Sequence, residues 1–273
     1  MGYAAAPHHD ADLVAPVRPV NAQGNSPFAL VCDHASNRIP PAYGDLGLPP
    51  SERIRHIAWD PGALAVSLRL TELLDAPLVH ATTSRLIVDC NRFPDADSFI
   101  PEISEYTEIP GNRGIAAADR AERIARYYVP YHDAIDRLLE SRRAAGLETI
   151  LVCMHSFTPL FKGVARPWPI GILPAPDETY SRALFAALAA EDPAMHIGWN
   201  EPYAAARGVS YTVDHHGAGL AATMIEIRHD EILEPAGVDA WAERLARGLA
   251  AARTTIGHAP AASRSGVAAP PAQ

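Results

Sequence analysis

His34 and His155 each follow an apolar run, and Asp60 stands immediately before Pro61. Two imidazoles and a carboxylate from separate segments make a zinc donor set. A catalytic zinc takes three protein ligands and leaves a fourth position for water. Glu226 lies inside the apolar run Thr223-Met-Ile-Glu-Ile-Arg228. A bare carboxylate is costly to bury there, so it must be paired or functional. As a carboxylate that is not a ligand, it suits the general base that takes a proton from zinc-bound water. Plainer readings stand beside each of these. His34 caps or lines a turn, and His155 is a hydrogen-bonded histidine at a strand end. Asp60 is the N-cap of a helix opened by Pro61, and Glu226 pairs with Arg228 two residues along one strand face. Spacing alone leaves these alternatives open, since no local metal motif with two close histidines occurs. His215 and His216 are adjacent, so in a strand they would point to opposite faces and at most one would enter a site. A loop role suits both equally.

A second group is basic. Arg85, Arg92, Arg113 and Arg228 fall beside the same segments, with Asn91 as a neutral neighbour. Guanidinium groups capture carboxylates through two parallel hydrogen bonds, which would suit an anionic substrate. Arg92 follows an apolar run directly, and Arg113 lies in Gly111-Asn112-Arg113-Gly114, so these two lead the set. The plainer reading is solvated or ordinarily paired arginine.

Positioning these residues requires strands that end together. Residues 28–32, 78–80, 86–89, 149–154, 169–173, 195–198 and 223–228 read as strands. Residues 61–74, 116–145 (bent near Pro130), 178–190 and 238–252 read as helices. The alternation predicts one α/β domain with a mostly parallel or mixed central sheet flanked by helices. In such a sheet, sites form past the carboxyl ends of the strands. Residues 94–114, rich in Pro and Gly, form a long connection of the kind that serves as a functional or mobile loop. Residues 1–26 read as a partly ordered lead-in, 27–256 as the catalytic domain, and 257–273 as a disordered tail.

The chain has 273 residues and a net charge of -9. That balance disfavours a general nucleic-acid or anionic-membrane binder. The three cysteines, Cys32, Cys90 and Cys153, match no structural-zinc spacing and read as buried reduced thiols of a reducing, cytoplasmic compartment. No apolar stretch is long enough to span a bilayer, and the first ten residues lack the pattern of a secretory signal. There is no nucleophile elbow, dinucleotide fingerprint or phosphate-binding loop. The oligomeric state is not legible.

The motifs Asp33-His34-Ala35-Ser36-Asn37-Arg38-Ile39-Pro40, Trp59-Asp60, Ser84-Arg85-Leu86-Ile87-Val88-Asp89-Cys90-Asn91-Arg92, Met154-His155-Ser156 and Ile225-Glu226-Ile227-Arg228 resemble the N-formylglutamate amidohydrolase family, in order, over about residues 27–235. Zinc-dependent N-acetylmuramoyl-alanine amidases are more distantly similar. The resemblance implies a phosphorylase/hydrolase-like fold and one zinc ion on His34, Asp60 and His155. It also implies Glu226 as the catalytic carboxylate and hydrolysis of a small anionic N-acyl amino acid, N-formyl-L-glutamate first. Better-known members carry His-Ser-Gly where this chain has His34-Ala35-Ser36, which makes the acyl amino acid the open variable. A zinc amidase for another N-acyl amino acid or a cell-wall peptide, and a non-catalytic dicarboxylate binder, are the competing expectations.

Overall fold

The computed structural model describes residues 14–203 and 210–258, the side chain of His258 excepted. The first half of the expected lead-in (1–13) and most of the expected tail (259–273) lie outside the described residues.

Seven strands form one mixed sheet. They are β1 (Val17–Val20), β2 (Phe28–Cys32), β3 (Leu78–Ala81), β6 (Ile150–Phe157), β9 (Ile170–Pro174), β10 (Ile197–Trp199) and β11 (Ala221–Arg228). Two hairpins stand apart from it: β4 (Ile103–Ser104) with β5 (Thr107–Glu108), and β7 (Leu160–Phe161) with β8 (Val164–Ala165). Across the sheet the order is β1-β3-β2-β6-β11-β9-β10. The central strands β3, β2, β6 and β11 run parallel. β1 is antiparallel at one edge, and β9 is antiparallel to β11. This is the expected mixed α/β sheet.

The helices are α1 (Pro50–Arg53), α2 (Ala63–Leu74), α3 (Ala117–Arg123), α4 (Val129–Ala144), α5 (Thr179–Glu191), α6 (Tyr211–His216) and α7 (Pro235–His258). The long helical region expected over 116–145 is interrupted at Ile124–Tyr128, where the backbone widens into a π turn just ahead of Pro130. Pro130 has no N–H to donate into the preceding turn, so a register change there is inexpensive.

Strand alternation splits the core. Leu30, Val152, Met154, Ile225 and Ile227 pack with α2, α5 and α7 on one face. Val31, Leu151, Cys153 and Met224 pack with Tyr131 and Ile135 of α4 and Val213 of α6 on the other. Every residue of β6 is buried, as a parallel strand covered on both faces must be. A third cluster, including Leu46, Leu86, Ile87, Val88, Phe99 and Ile109, is built by the excursions between the sheet elements.

One expectation needs correction. Residues 86–89 do not form a strand. Ser84 accepts from Leu86 N–H through Oγ and from Ile87 N–H through its carbonyl, and Asp89 N–H goes to Phe99 O. A serine that offers local acceptors competes with a ladder. The three apolar side chains are buried in the third cluster instead of in the sheet. Conversely, β1 falls in the stretch read as a lead-in. It is an edge strand, where Pro19 and its missing donor are tolerated.

Candidate metal centre

Asp33 and His34 follow directly on β2, and His155 lies on β6. The β6–β11 register sets His155 beside Glu226 on adjacent parallel strands, so both point to the same face. Asp60 reaches them from the turn before α2. Its N–H donates to His34 O at 2.9 Å, which fastens that turn to the end of β2. Gly62 then adopts φ +82°, the left-handed conformation that lets the chain turn into α2.

His34, Asp60 and His155 are buried and can each offer one ligand atom, all within 4.8 Å of one another. Both imidazoles turn Nδ1 toward Asp60 Oδ2, His34 at 3.2 Å and His155 at 2.8 Å. Their Nε2 atoms face two further carboxylates. His34 Nε2 lies 2.7 Å from Asp89 Oδ1, and His155 Nε2 lies 2.9 Å from Asp33 Oδ2. Sequence reasoning missed both of these aspartates. The available signal was position alone, Asp33 beside His34 and Asp89 in the motif ending at Arg92.

Electrostatics follow from that packing. Burial works against ionisation of Asp33, but its contact with His155 and the charge of His34 prevail and hold it at about 2. Burial likewise opposes ionisation of Asp89, and Arg85 and His34 drive its carboxyl well below the usual range. Burial lowers His155, yet Asp33 and Asp60 more than reverse this and raise it. Glu226 goes the other way: burial pushes it up to about 7, His155 pulls it down and Asp60 adds to the rise. Its Oε2 is buried with no hydrogen-bond partner among the described residues.

The arginines divide. Arg85 donates from Nε and Nη2 to Asp89 Oδ2 at 2.9 and 2.6 Å, with Nη1 3.5 Å from Asp60 Oδ1. Arg92 donates to Ser98 Oγ and Asn91 O. Both line a cavity of about 230 Å³ together with Asp60, Asp89, Ser156 and Tyr203. Asn91 is buried and does not line it: its Oδ1 accepts from Thr212 N–H at 3.0 Å and its Nδ2 is 3.4 Å from His155 Nε2. Arg113 is not brought to the cavity; it is exposed and paired with Glu108 at 2.8 Å. Arg228 is paired with Asp230 and Glu231.

His215 and His216 sit on α6, neither in a strand nor in a loop. His216 is buried against His132 (2.8 Å) and Asp136 (3.0 Å), and His215 stacks on Tyr211, both outside the triplet. The three cysteines are buried and unbonded, and burial pushes their thiols well up. The connection 94–114 is pinned by buried Asn112, which donates to Leu86 O and Pro101 O and accepts from Arg123. Among the described residues no helix is long and apolar enough to cross a membrane.

Two comparisons identify what the chain is similar to. A family model described as N-formylglutamate amidohydrolase matches residues 26–233. A solved gene product of Agrobacterium tumefaciens is 39% identical with a TM-score of 0.86, over 89% of this chain and 97% of that one. An N-formylglutamate amidohydrolase from Ralstonia eutropha JMP134 is 20% identical with a TM-score of 0.64, over 88% of this chain and 98% of that one. No curated protein matches by sequence.

Proposed function

The chain belongs to the N-formylglutamate amidohydrolase family, and on that membership and its buried triplet we propose that it is a metal-dependent hydrolase of N-formyl amino acids, N-formyl-L-glutamate foremost. The observation that carries the reading is the convergence of His34, Asp60 and His155 within 4.8 Å of one another, with Glu226 beside His155.

The donor set fits a divalent ion, and zinc best. Two imidazole nitrogens and one carboxylate oxygen leave room for water in a four-coordinate site. Asp89 Oδ1 is the hydrogen-bond partner of His34 Nε2, and Asp33 Oδ2 lies 2.9 Å from His155 Nε2; carboxylates on that side favour the tautomers that leave Nδ1 to ligate. The unpartnered Oε2 of Glu226 supports the fit, since a buried carboxylate calls for a nearby cation or proton. When bound, the ion polarises the scissile carbonyl and makes water a competent nucleophile near neutral pH.

The protein's own groups do the remaining work. Glu226 takes a proton from the attacking water as the new C–O bond forms. It returns that proton to the amide nitrogen as the C–N bond breaks, so N-formyl-L-glutamate yields formate and L-glutamate. Its place beside His155 on the adjacent strand puts the carboxyl where both transfers can be made. Arg92, on the cavity wall, places positive charge toward an anionic substrate. Arg85 is committed to Asp89 and Asp60 and holds the carboxylate frame.

Release of the free amino acid from a panel of N-formyl amino acids and from N-acetyl-L-glutamate, with formate followed for the formyl members, tests the reading. The zinc-loaded protein is expected to release formate fastest from N-formyl-L-glutamate. No turnover of any member, with tight binding of the dicarboxylates, would instead identify a binding protein.

A further inference from the structure

Arg166 follows β8 and escaped the sequence reading, lying in Val164-Ala165-Arg166-Pro167-Trp168 with no periodic signal around it. Its residue is 9% exposed, and its Nη1 is buried without a partner among the described residues. The arginines around it are spent: Arg85 on Asp89 and Asp60, Arg228 on Asp230 and Glu231. Arg166 has no carboxylate partner among the described residues. The segment after Tyr203, Ala-Ala-Ala-Arg-Gly-Val, carries no acid.

Three rings surround this cation. Its guanidinium carbon lies 4.6 Å from the ring centre of Phe161, 4.9 Å from Tyr203 and 5.7 Å from Phe157. All three rings line the cavity that Asp60, Asp89 and Arg92 also line. Ring faces attract a cation and orient it. They do not replace an anion, and a buried charge left without one is costly. The backbone is fastened at both ends: Arg166 N–H donates to Pro159 O at 2.8 Å, and Arg228 Nη1 donates to Arg166 O at 3.3 Å. Tyr203 ties this cage to the reacting end. Burial and then the charge of Glu226 push its hydroxyl up to about 12, while Arg166 pulls the other way.

We propose that Arg166 receives a carboxylate of the substrate and so determines specificity for anionic N-formyl amino acids. The ligand supplies the carboxylate that the guanidinium lacks among the described residues, and the aromatic cage beside the cavity holds the fork ready for it. This rests on the amidohydrolase reading above.

The test uses the zinc-loaded protein and its R166M variant on three substrates: N-formyl-L-glutamate, N-formyl-L-glutamine and the α-amide of N-formyl-L-glutamate. R166M is expected to raise KM for N-formyl-L-glutamate on the order of ten- to a hundredfold, with kcat changed less than about threefold. One of the two amides, whichever lacks the carboxylate that Arg166 receives, should lose its disadvantage in R166M. An unchanged KM, or an equal loss on all three substrates, overturns the proposal. Calorimetric titration with glutarate separates this from failure of the activity itself, because glutarate has no amide to cleave. Weaker glutarate binding by R166M supports the role of Arg166 even without turnover, and equal binding rejects it. Should R166M not fold by circular dichroism, R166Q takes its place with the same expectations.

Discussion

Glu226 is 4% exposed and its folded carboxyl sits near 7 against an ordinary value of 4.5. In the metal-free protein the charged form is therefore disfavoured by folding. Its penalty is absent below pH 4.5, grows as pH rises to about 7 and is complete above that, where it corresponds to about 3 kcal/mol. Glu226→Gln should accordingly stabilise the metal-free protein by up to that amount at pH 8 and by nothing at pH 4, read from urea unfolding at the two pH values. The same variant should keep its metal and lose turnover on the order of 10² to 10⁴-fold. At the level of single residues, chemistry that depends on type was readable: an acid inside an apolar strand at Glu226, and histidines after apolar runs at His34 and His155. Support chemistry was not. Asp33 and Asp89 gain meaning only when His155 and His34 turn Nε2 toward them, which no spacing encodes. Asp33→Asn should weaken zinc binding on the order of ten- to a hundredfold in competition with a chromophoric chelator. Unchanged affinity would leave Asp33 as packing alone.

Among the elements, the turn from Asp60 into α2 carries the heaviest constraint. Ser156 Oγ donates to Pro61 O at 2.7 Å, and Ser156 N–H donates to Asp60 Oδ2 at 3.3 Å, so β6 grips this turn directly. A Cβ on Gly62 would come within 2.5 Å of Ile232 O, at a φ of +82°. Gly62→Ala should cost about 2 kcal/mol or more by urea unfolding, from left-handed strain and that collision together. It should also weaken metal binding, because Asp60 is displaced with the turn. A variant as stable as the parent, with full metal content, would show that the turn tolerates movement. Element reading from sequence succeeded where burial was two-sided, as in β2 and β6, since runs covered on both faces are continuously apolar. It failed at residues 86–89 for the same reason. Leu86, Ile87 and Val88 are as apolar as a strand, but they fill a cluster outside the sheet while Ser84 takes up the backbone N–H groups.

Over the whole molecule, helices cover both faces of the sheet. The third cluster, with the connection that Asn112 pins, forms a separate body of packed residues beyond the sheet core. The layer order follows from strands alternating with amphipathic helices, which is why the fold class was legible. The meeting of segments 26 and 95 residues apart, Asp60 with His34 and with His155, was one of several readings of the strand ends, and the family resemblance singled it out. Contact between distant segments leaves no local pattern. An ion that binds the folded chain and not the unfolded one adds its binding free energy to stability. Zinc should therefore raise the unfolding temperature, and a chelator should reverse the rise. The most direct test is elemental analysis after equilibrium dialysis against zinc, with the parent and His155→Ala side by side and folding verified by circular dichroism. One zinc per parent chain, and a folded variant stripped of most of it, is the expected result. Equal zinc in both proteins, or none in the parent, would contradict a metal centre built on these three side chains.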